Sequence, residues 1–481
     1  MAHSRRDFLR NTACALGGVA LASTVERLGL INAYAQSGAA ADYRALVCVF
    51  LNGGNDCNNT VIPFDPNVST EYPAYSAVRN ASGLAIPQAS LVQITPSNLG
   101  GRQFGLHPNL SPEVATPTAA KGLLDVWNQG RLAVVANVGP LVEPLTRTTY
   151  QNGTGKKPLQ LFSHSDQVGL WQSSIANNAS QTGWGGRVAD KTGALNGPAS
   201  FPQVVTIAGI SLFVTGVNAR PLAIADSNTP LANVLPLNDA PGFTSAQNTA
   251  RRTAFDSIRS LDLGFTLVKA ASDTRSSALQ TRTALQSVNP AINTVFPNTS
   301  IGRQLLQVAR VIKASTDPTA GINMRRQIFF VNLGGFDTHS QQINGQGNLL
   351  LQLSQAMRAF FDATVELGVS TGVTTFTLSD FGRTFSPSGS GAGTVGSDHG
   401  WGSHHFVMGG SVIGGRFYGT YPTLALGGPD DTDNRGRWIP TVSVDQYAAT
   451  LASWYGLSSS DFPAVFPLIG HFSPSNMGFL A

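Results

Sequence analysis

Three short segments far apart in the sequence each carry an aspartate in a tight turn. They are Asn52-Gly53-Gly54-Asn55-Asp56, Gly334-Gly335-Phe336-Asp337-Thr338-His339 and Ser379-Asp380-Phe381-Gly382-Arg383. A fourth, Asp398-His399-Gly400-Trp401-Gly402-Ser403-His404-His405, adds a carboxylate and three imidazoles. Carboxylates and imidazoles on one rim are hard-to-borderline ligands, suited to zinc, manganese, magnesium or calcium. The metal candidates are therefore Asp56, Asp337, His339, Asp380, Asp398, His399, His404 and His405. Each residue taken alone has an ordinary structural role: an aspartate after a strand caps a turn, and a lone histidine sits solvated on the surface. Arg383 either pairs with a carboxylate or presents its planar fork to an oxyanion. The argument for a metal or anion site rests on the set occurring together.

A second constellation is Phe162-Ser163-His164-Ser165-Asp166-Gln167. Ser163 or Ser165 could act as a nucleophile activated by a metal, and His164 as a ligand or general acid. The same pattern also reads as a plain helix start with a serine N-cap. It lacks the Gly-x-Ser-x-Gly elbow, which disfavours a serine esterase. His107 and His471 read as structural, and Asp445 as part of a helix start.

To bring these segments together, the chain needs strands that end beside one another. Apolar, β-branched runs predict buried strands at 45–51, 132–138, 204–207, 327–333, 373–378 and 406–408. The runs are continuous rather than alternating, as in a sheet covered on both faces. Helical periodicity predicts helices over 118–129, 301–314, 348–366 and 444–455. Strands alternating with helices argue an α/β fold: a doubly wound, mainly parallel sheet. In such a sheet ligands bind outside the carboxyl ends of the strands, where Asp56, Asp337 and Asp380 lie. The stretch from about 219 to 300 is polar and helix-rich and reads as an insertion or cap on the domain that fills 36–481.

Composition narrows the function classes. Of 481 residues only 12% are charged, 51 are glycine and the net charge is +4. There is no run of five basic residues, which excludes an electrostatic footprint for nucleic acid or anionic lipid. Ser4-Arg5-Arg6-Asp7-Phe8-Leu9-Arg10, an apolar stretch over 13–23 and Ala33-Tyr34-Ala35 form the three parts of a twin-arginine signal over 1–35. The apolar stretch is too short to span a bilayer stably, so no membrane span is expected in the mature chain. The expected partner is the twin-arginine export machinery, and the expected location periplasmic or extracellular. Beyond the signal, Cys48 and Cys57 remain; two buried thiols are expected in place of a thiolate zinc site, with a disulfide the alternative.

Several motifs, taken in order, resemble a known family. They are the twin-arginine start, Gly53-Gly54-Asn55-Asp56, Leu106-His107-Pro108, Phe162-Ser163-His164, Gly335-Phe336-Asp337-Thr338-His339, Ser379-Asp380-Phe381-Gly382-Arg383-Thr384, Asp398-His399-Gly400 and Ser443-Val444-Asp445-Gln446-Tyr447. As a set they resemble the bacterial family called domain of unknown function 1501, itself similar to the alkaline phosphatase/sulfatase superfamily. The resemblance implies an alkaline phosphatase-like sheet, a two-metal site and hydrolysis of phosphate or sulfate esters. It places a first-strand metal ligand on Asp56, the nucleophile near Ser163 or Ser165, and the last metal histidine on His404 or His405. Its Asp-x-x-x-His pair is matched in part by Asp337 and His339, with one residue between them here. In its Asp-His pair Phe381 stands in place of the histidine after Asp380, and Asp398-His399 is the nearby replacement. The leading expectation is an exported metal-dependent ester hydrolase. The alternatives are a degenerate relative that binds a cell-envelope polymer or carbohydrate, and a scaffold.

Overall fold

The computed structural model describes residues 42–111, 122–199, 201–235, 241–259, 261, 263–286, 291–317, 322–391 and 393–481. The twin-arginine segment over 1–35 lies outside the described residues, as does the beginning of the helix expected from 118. The strands are β1 (Arg44–Asn52), β2 (Val61–Pro63), β3 (Val92–Ile94), β4 (Phe104–Leu106), β5 (Leu132–Gly139), β6 (Val204–Thr206), β7 (Leu222–Ala223), β8 (Arg326–Gly334), β9 (Val373–Ser379), β10 (Arg383–Ser388), β11 (Gly396–His399), β12 (Ser403–Gly409), β13 (Phe417–Tyr418) and β14 (Val442–Ser443).

The main sheet runs β13-β5-β12-β9-β1-β8-β6-β7, with β14 also paired to β5. Its pairings are parallel except for β12, which is antiparallel to both β5 and β9. Residues of β1 alternate between two cores. Val47, Val49 and Leu51 pack toward the helices Ser300–Thr316 and Gln342–Glu366, while Leu46, Cys48 and Phe50 pack toward Trp184–Thr192 and Val444–Tyr455. Apolar residues on both faces of one strand explain the continuous run in the sequence. The doubly wound, mainly parallel sheet is therefore as expected.

Register decides where the site forms. β1 pairs with β8 from Arg44↔Arg326 to Asn52↔Gly334, and with β9 up to Leu51↔Ser379. The carboxyl ends of the three strands are thus flush, and β8 and β9 flank β1 on opposite sides. That is the switch point at which open α/β sheets bind ligands. Among the described residues the cysteines Cys48 and Cys57 are both free and buried. Within 219–300 the chain forms the helices Ser245–Arg259 and Thr266–Gln286, and β7 extends the edge of the main sheet.

Candidate metal centre

Four elements build the site. Asp337 follows the end of β8 and Asp380 the end of β9. The hairpin of β10 and β11 pairs Arg383 with His399 and presents Asp398 beside it. His164 is the first residue of the helix His164–Ser173. The approach to that helix is strained: Gln160 and Phe162 hold φ of 44° and 71°, in the left-handed region that non-glycine residues avoid. Gly53, at φ 114°, lets the β1 loop pass against the β8 loop, because a Cβ there would lie 2.3 Å from the Asp337 nitrogen. Its own N–H donates to Asp380 Oδ1 at 3.0 Å.

Three imidazoles converge on one carboxylate oxygen. His339 Nε2, His164 Nε2 and His399 Nε2 lie 3.1, 3.4 and 3.7 Å from Asp337 Oδ1. Each ring is tied at its other nitrogen. His164 Nδ1 is 2.7 Å from Asp380 Oδ2, His339 Nδ1 is 3.0 Å from Asp398 Oδ1, and His399 Nδ1 is 2.7 Å from the Phe162 carbonyl. Carbonyls and ionised carboxylates only accept, so each Nδ1 carries a proton, and each ring in its neutral form presents the Nε2 lone pair toward Asp337. Metal-binding histidines are oriented in this manner, by a carboxylate or backbone carbonyl on the far nitrogen.

The consequence is electrostatic. With both rings neutral and protonated at Nδ1, His339 Nε2 and His399 Nε2 face each other at 3.0 Å as two lone pairs. His164 Nε2 is buried without a hydrogen-bond partner. A cation between such groups relieves both conditions. Ligand atoms about 2.0–2.1 Å from a tetrahedral zinc stand about 3.3 Å apart, close to the separations here. His164, Asp337 and His399 each place one ligand atom within 4.8 Å of the other two; His339 stands beside this group, with Nε2 at 3.1 Å from Asp337 Oδ1.

The charges around the centre support ligation. Burial pushes the Asp337 carboxyl up, but the hydrogen bond and charge of Arg383, joined by His164 and His339 when their rings are protonated, hold it below the usual carboxylate value. Asp398 is likewise held low, burial being outweighed by Arg435 and His339. Burial raises Asp380 against the His164 and Gly53 hydrogen bonds. His399 is pushed down by burial against the Phe162 hydrogen bond, and further by the charges of Arg383 and of His164 and His339 where protonated, a direction that favours the neutral ring a ligand must be.

The remaining expected residues stand elsewhere. Asp56 is fully buried against Arg79, with Oδ2 at 2.5 Å from Nη1, and caps the short helix Cys57–Thr60. His404 and His405 are core residues of β12, which begins three positions before the apolar run that announced it. His404 Nδ1 accepts from Asn137 N at 3.0 Å, and His405 Nδ1 lies 3.3 Å from Thr377 Oγ1. Arg383 is buried, with Nη1 on Gly53 O at 3.2 Å and on Asp337 Oδ1 at 2.8 Å, and Nη2 on the Ser397 carbonyl. Its fork is thereby committed to holding Asp337. Ser163, half-buried beside His164, donates its hydroxyl to Asp166 Oδ2 at 2.6 Å. The sequence reading missed the Phe162 carbonyl, Arg435 and Arg437, none of which has a local signal.

The buried histidines predict acid lability. Burial pushes His404 and His405 down to about 3, and His107 to about 4. Folded values below the unfolded value of about 6.5 mean that the neutral rings contribute stability above it, lost as pH falls toward the folded values. Asp445 runs the other way: burial raises it to about 7, and its contribution fades as pH rises from about 3.9 toward that value. Three imidazoles outweigh one carboxylate. The calorimetric Tm is expected to fall between pH about 6.5 and about 4.5; a flat or rising Tm would show that these rings are not buried neutral.

Residues 43–433 match the family described as "Protein of unknown function (DUF1501)". No curated protein matches the chain. Among solved structures, one described as Ps i-CgsB in complex with k-i-k-neocarrahexaose aligns at 9% identity and a TM-score of 0.32, over 88% of this chain and 77% of that one. The PsFucS1 sulfatase from Pseudoalteromonas sp. aligns at 10% identity and a TM-score of 0.30, over 95% of this chain and 73% of that one.

Proposed function

The chain belongs to the DUF1501 family, and from that premise we propose that it is an exported metal-dependent hydrolase of phosphate or sulfate esters. The observation that carries this reading is the convergence of three Nε2 lone pairs on Asp337 Oδ1, with each Nδ1 tied behind it. A donor set rich in imidazole suits zinc or another nitrogen-preferring transition ion, whereas calcium and magnesium take oxygen cages. A divalent ion bound there would supply Lewis acidity toward an ester oxygen and would lower the pKa of a bound water to about 7.

The chain's own residues supply the rest. Asp337 and the imidazoles of His164 and His399, with His339 beside them, would hold the ion, and Arg383 holds Asp337. Ser163 is the nucleophile in this reading and Asp166 the acceptor of its proton, the two being already hydrogen-bonded beside His164. With Asp56, His404 and His405 engaged elsewhere, the reading is of one metal position. Export through the twin-arginine machinery, to the periplasm or the cell exterior, completes it and rests on the motif over 1–35.

The test is elemental analysis followed by turnover. Exported protein is expected to hold about one equivalent of zinc or a similar ion, and metal-loaded protein to cleave an aryl phosphate or aryl sulfate. Absence of stoichiometric metal even after loading would overturn the proposal.

A further inference from the structure

The loop over 427–437 folds around a buried carboxylate. Asp431 accepts N–H groups from Gly427 at 2.9 Å, Asp433 at 3.2 Å, Gly436 at 2.9 Å and Arg437 at 3.0 Å. From outside, Arg147 Nη1 donates to the carbonyls of Asp431 and Asp433 at 2.6 and 2.7 Å. A loop whose backbone donors are tied inward and whose carbonyls are held by a cation has little freedom to move.

Two arginines leave this loop toward the metal centre. Arg435 Nη2 pairs with Asp398 Oδ2, and the other oxygen of that carboxylate faces His339 Nδ1. Arg437 Nε donates to the His399 carbonyl at 3.0 Å, and its guanidinium lies 4.1 Å above the Phe162 ring. Phe162, in its strained conformation, is the residue whose carbonyl receives His399 Nδ1. Each arginine therefore stands one contact behind the group that sets an imidazole tautomer. His164 differs: its partner Asp380 is placed by the end of β9 and by Gly53 N–H, without help from the loop.

We infer that the 427–437 loop is a positioning clamp, in which Arg435 and Arg437 hold the outer partners of His339 and His399 and so preset two imidazoles for the ion. The inference rests on the metal reading above. Arg435 and Arg437 are positioning residues; neither touches the ligating nitrogens. Arg437 must donate and stack with one flat group, which lysine does not reproduce.

The experiment compares wild type, Arg435→Ala, Arg437→Ala and Arg437→Lys. Zinc affinity is read by competition with a chromophoric chelator, and the ligand field from the visible spectrum of the cobalt(II)-loaded proteins. Each variant is expected to lose about 10–100-fold in zinc affinity, the usual effect of removing an outer partner of a ligand. The cobalt bands should shift in position or intensity while far-ultraviolet circular dichroism stays as in wild type. Lysine at 437 should not restore the wild-type spectrum. Wild type that binds zinc, with variants matching it in affinity and cobalt spectrum, would overturn the clamp and leave the metal reading standing. Wild type that takes up neither ion would overturn the metal reading, and the clamp with it.

Discussion

Asp337→Asn is expected to fold as wild type and to lose zinc by more than the about 10–100-fold that an outer partner costs. Asp337 Oδ1 is the atom on which three imidazoles and Arg383 converge. An amide oxygen at that place still accepts from Arg383, so the guanidinium keeps its partner and the loop its geometry. What the amide lacks is the negative charge that offsets a divalent ion among neutral rings. Asp337→Ala is the harsher variant, because it also removes the acceptor from the fully buried Arg383 side chain and leaves that cation on backbone carbonyls. The two substitutions therefore separate charge from scaffolding. If the centre is as described, both lose the metal, both lose ester turnover, and only alanine loses stability. Zinc titration by calorimetry and chemical unfolding read the two effects on the same samples. A wild-type zinc isotherm for Asp337→Asn would remove Asp337 from the ligand set.

The sheet was legible because its signals are local. Continuous apolar runs marked β1, β8 and β9, the turns marked their ends, and a parallel register brought Asp337 and Asp380 to one edge. The histidines of β12 were not legible in the same way. The apolar run begins only at Phe406, and the pairing of Ser403 with Val138 is what draws His404 and His405 into the core. A strand covered by packing from elsewhere carries buried polar residues that no local pattern announces. His164 was seen, but its role was open between helix start and ligand; the positive φ of Phe162, which aims the helix, has no sequence mark. Arg435 and Arg437 are defined by Asp398 and His399, dozens of positions away, so their function exists only in the folded chain.

Asp56 is where local reading and tertiary structure part most clearly, and it yields the second large effect. Arg79→Met is expected to destabilise the protein by about 3–5 kcal/mol, the usual loss when one member of a buried ion pair is removed. Both side chains are fully buried. The pair is two-pronged, with Nη1 to Oδ2 at 2.5 Å and Nη2 to Oδ1 at 3.2 Å. Arg79 also donates to the carbonyls of Thr384 and Phe385 at 3.0 Å, which ties the helix Tyr72–Arg79 to β10. Asp56 accepts further from Asn58 N at 3.1 Å and from Gln342 Nε2. Without Arg79 the carboxylate is left as an uncompensated buried charge, and with Asp56→Asn alone the guanidinium is. The double variant Asp56→Asn with Arg79→Met removes both charges and should be less destabilised than the two single losses added together, a coupling that a double-mutant cycle in urea measures directly. Zinc binding provides the contrast. Asp56 reaches the centre through intermediaries, by Gln342, Ser397 and Arg383 and by Asn58 to the Arg383 carbonyl, so Asp56→Asn that remains folded should bind zinc with wild-type affinity. Loss of the metal at unchanged stability would instead return Asp56 to the ligand set, and the buried pair with Arg79 would have to open to allow it.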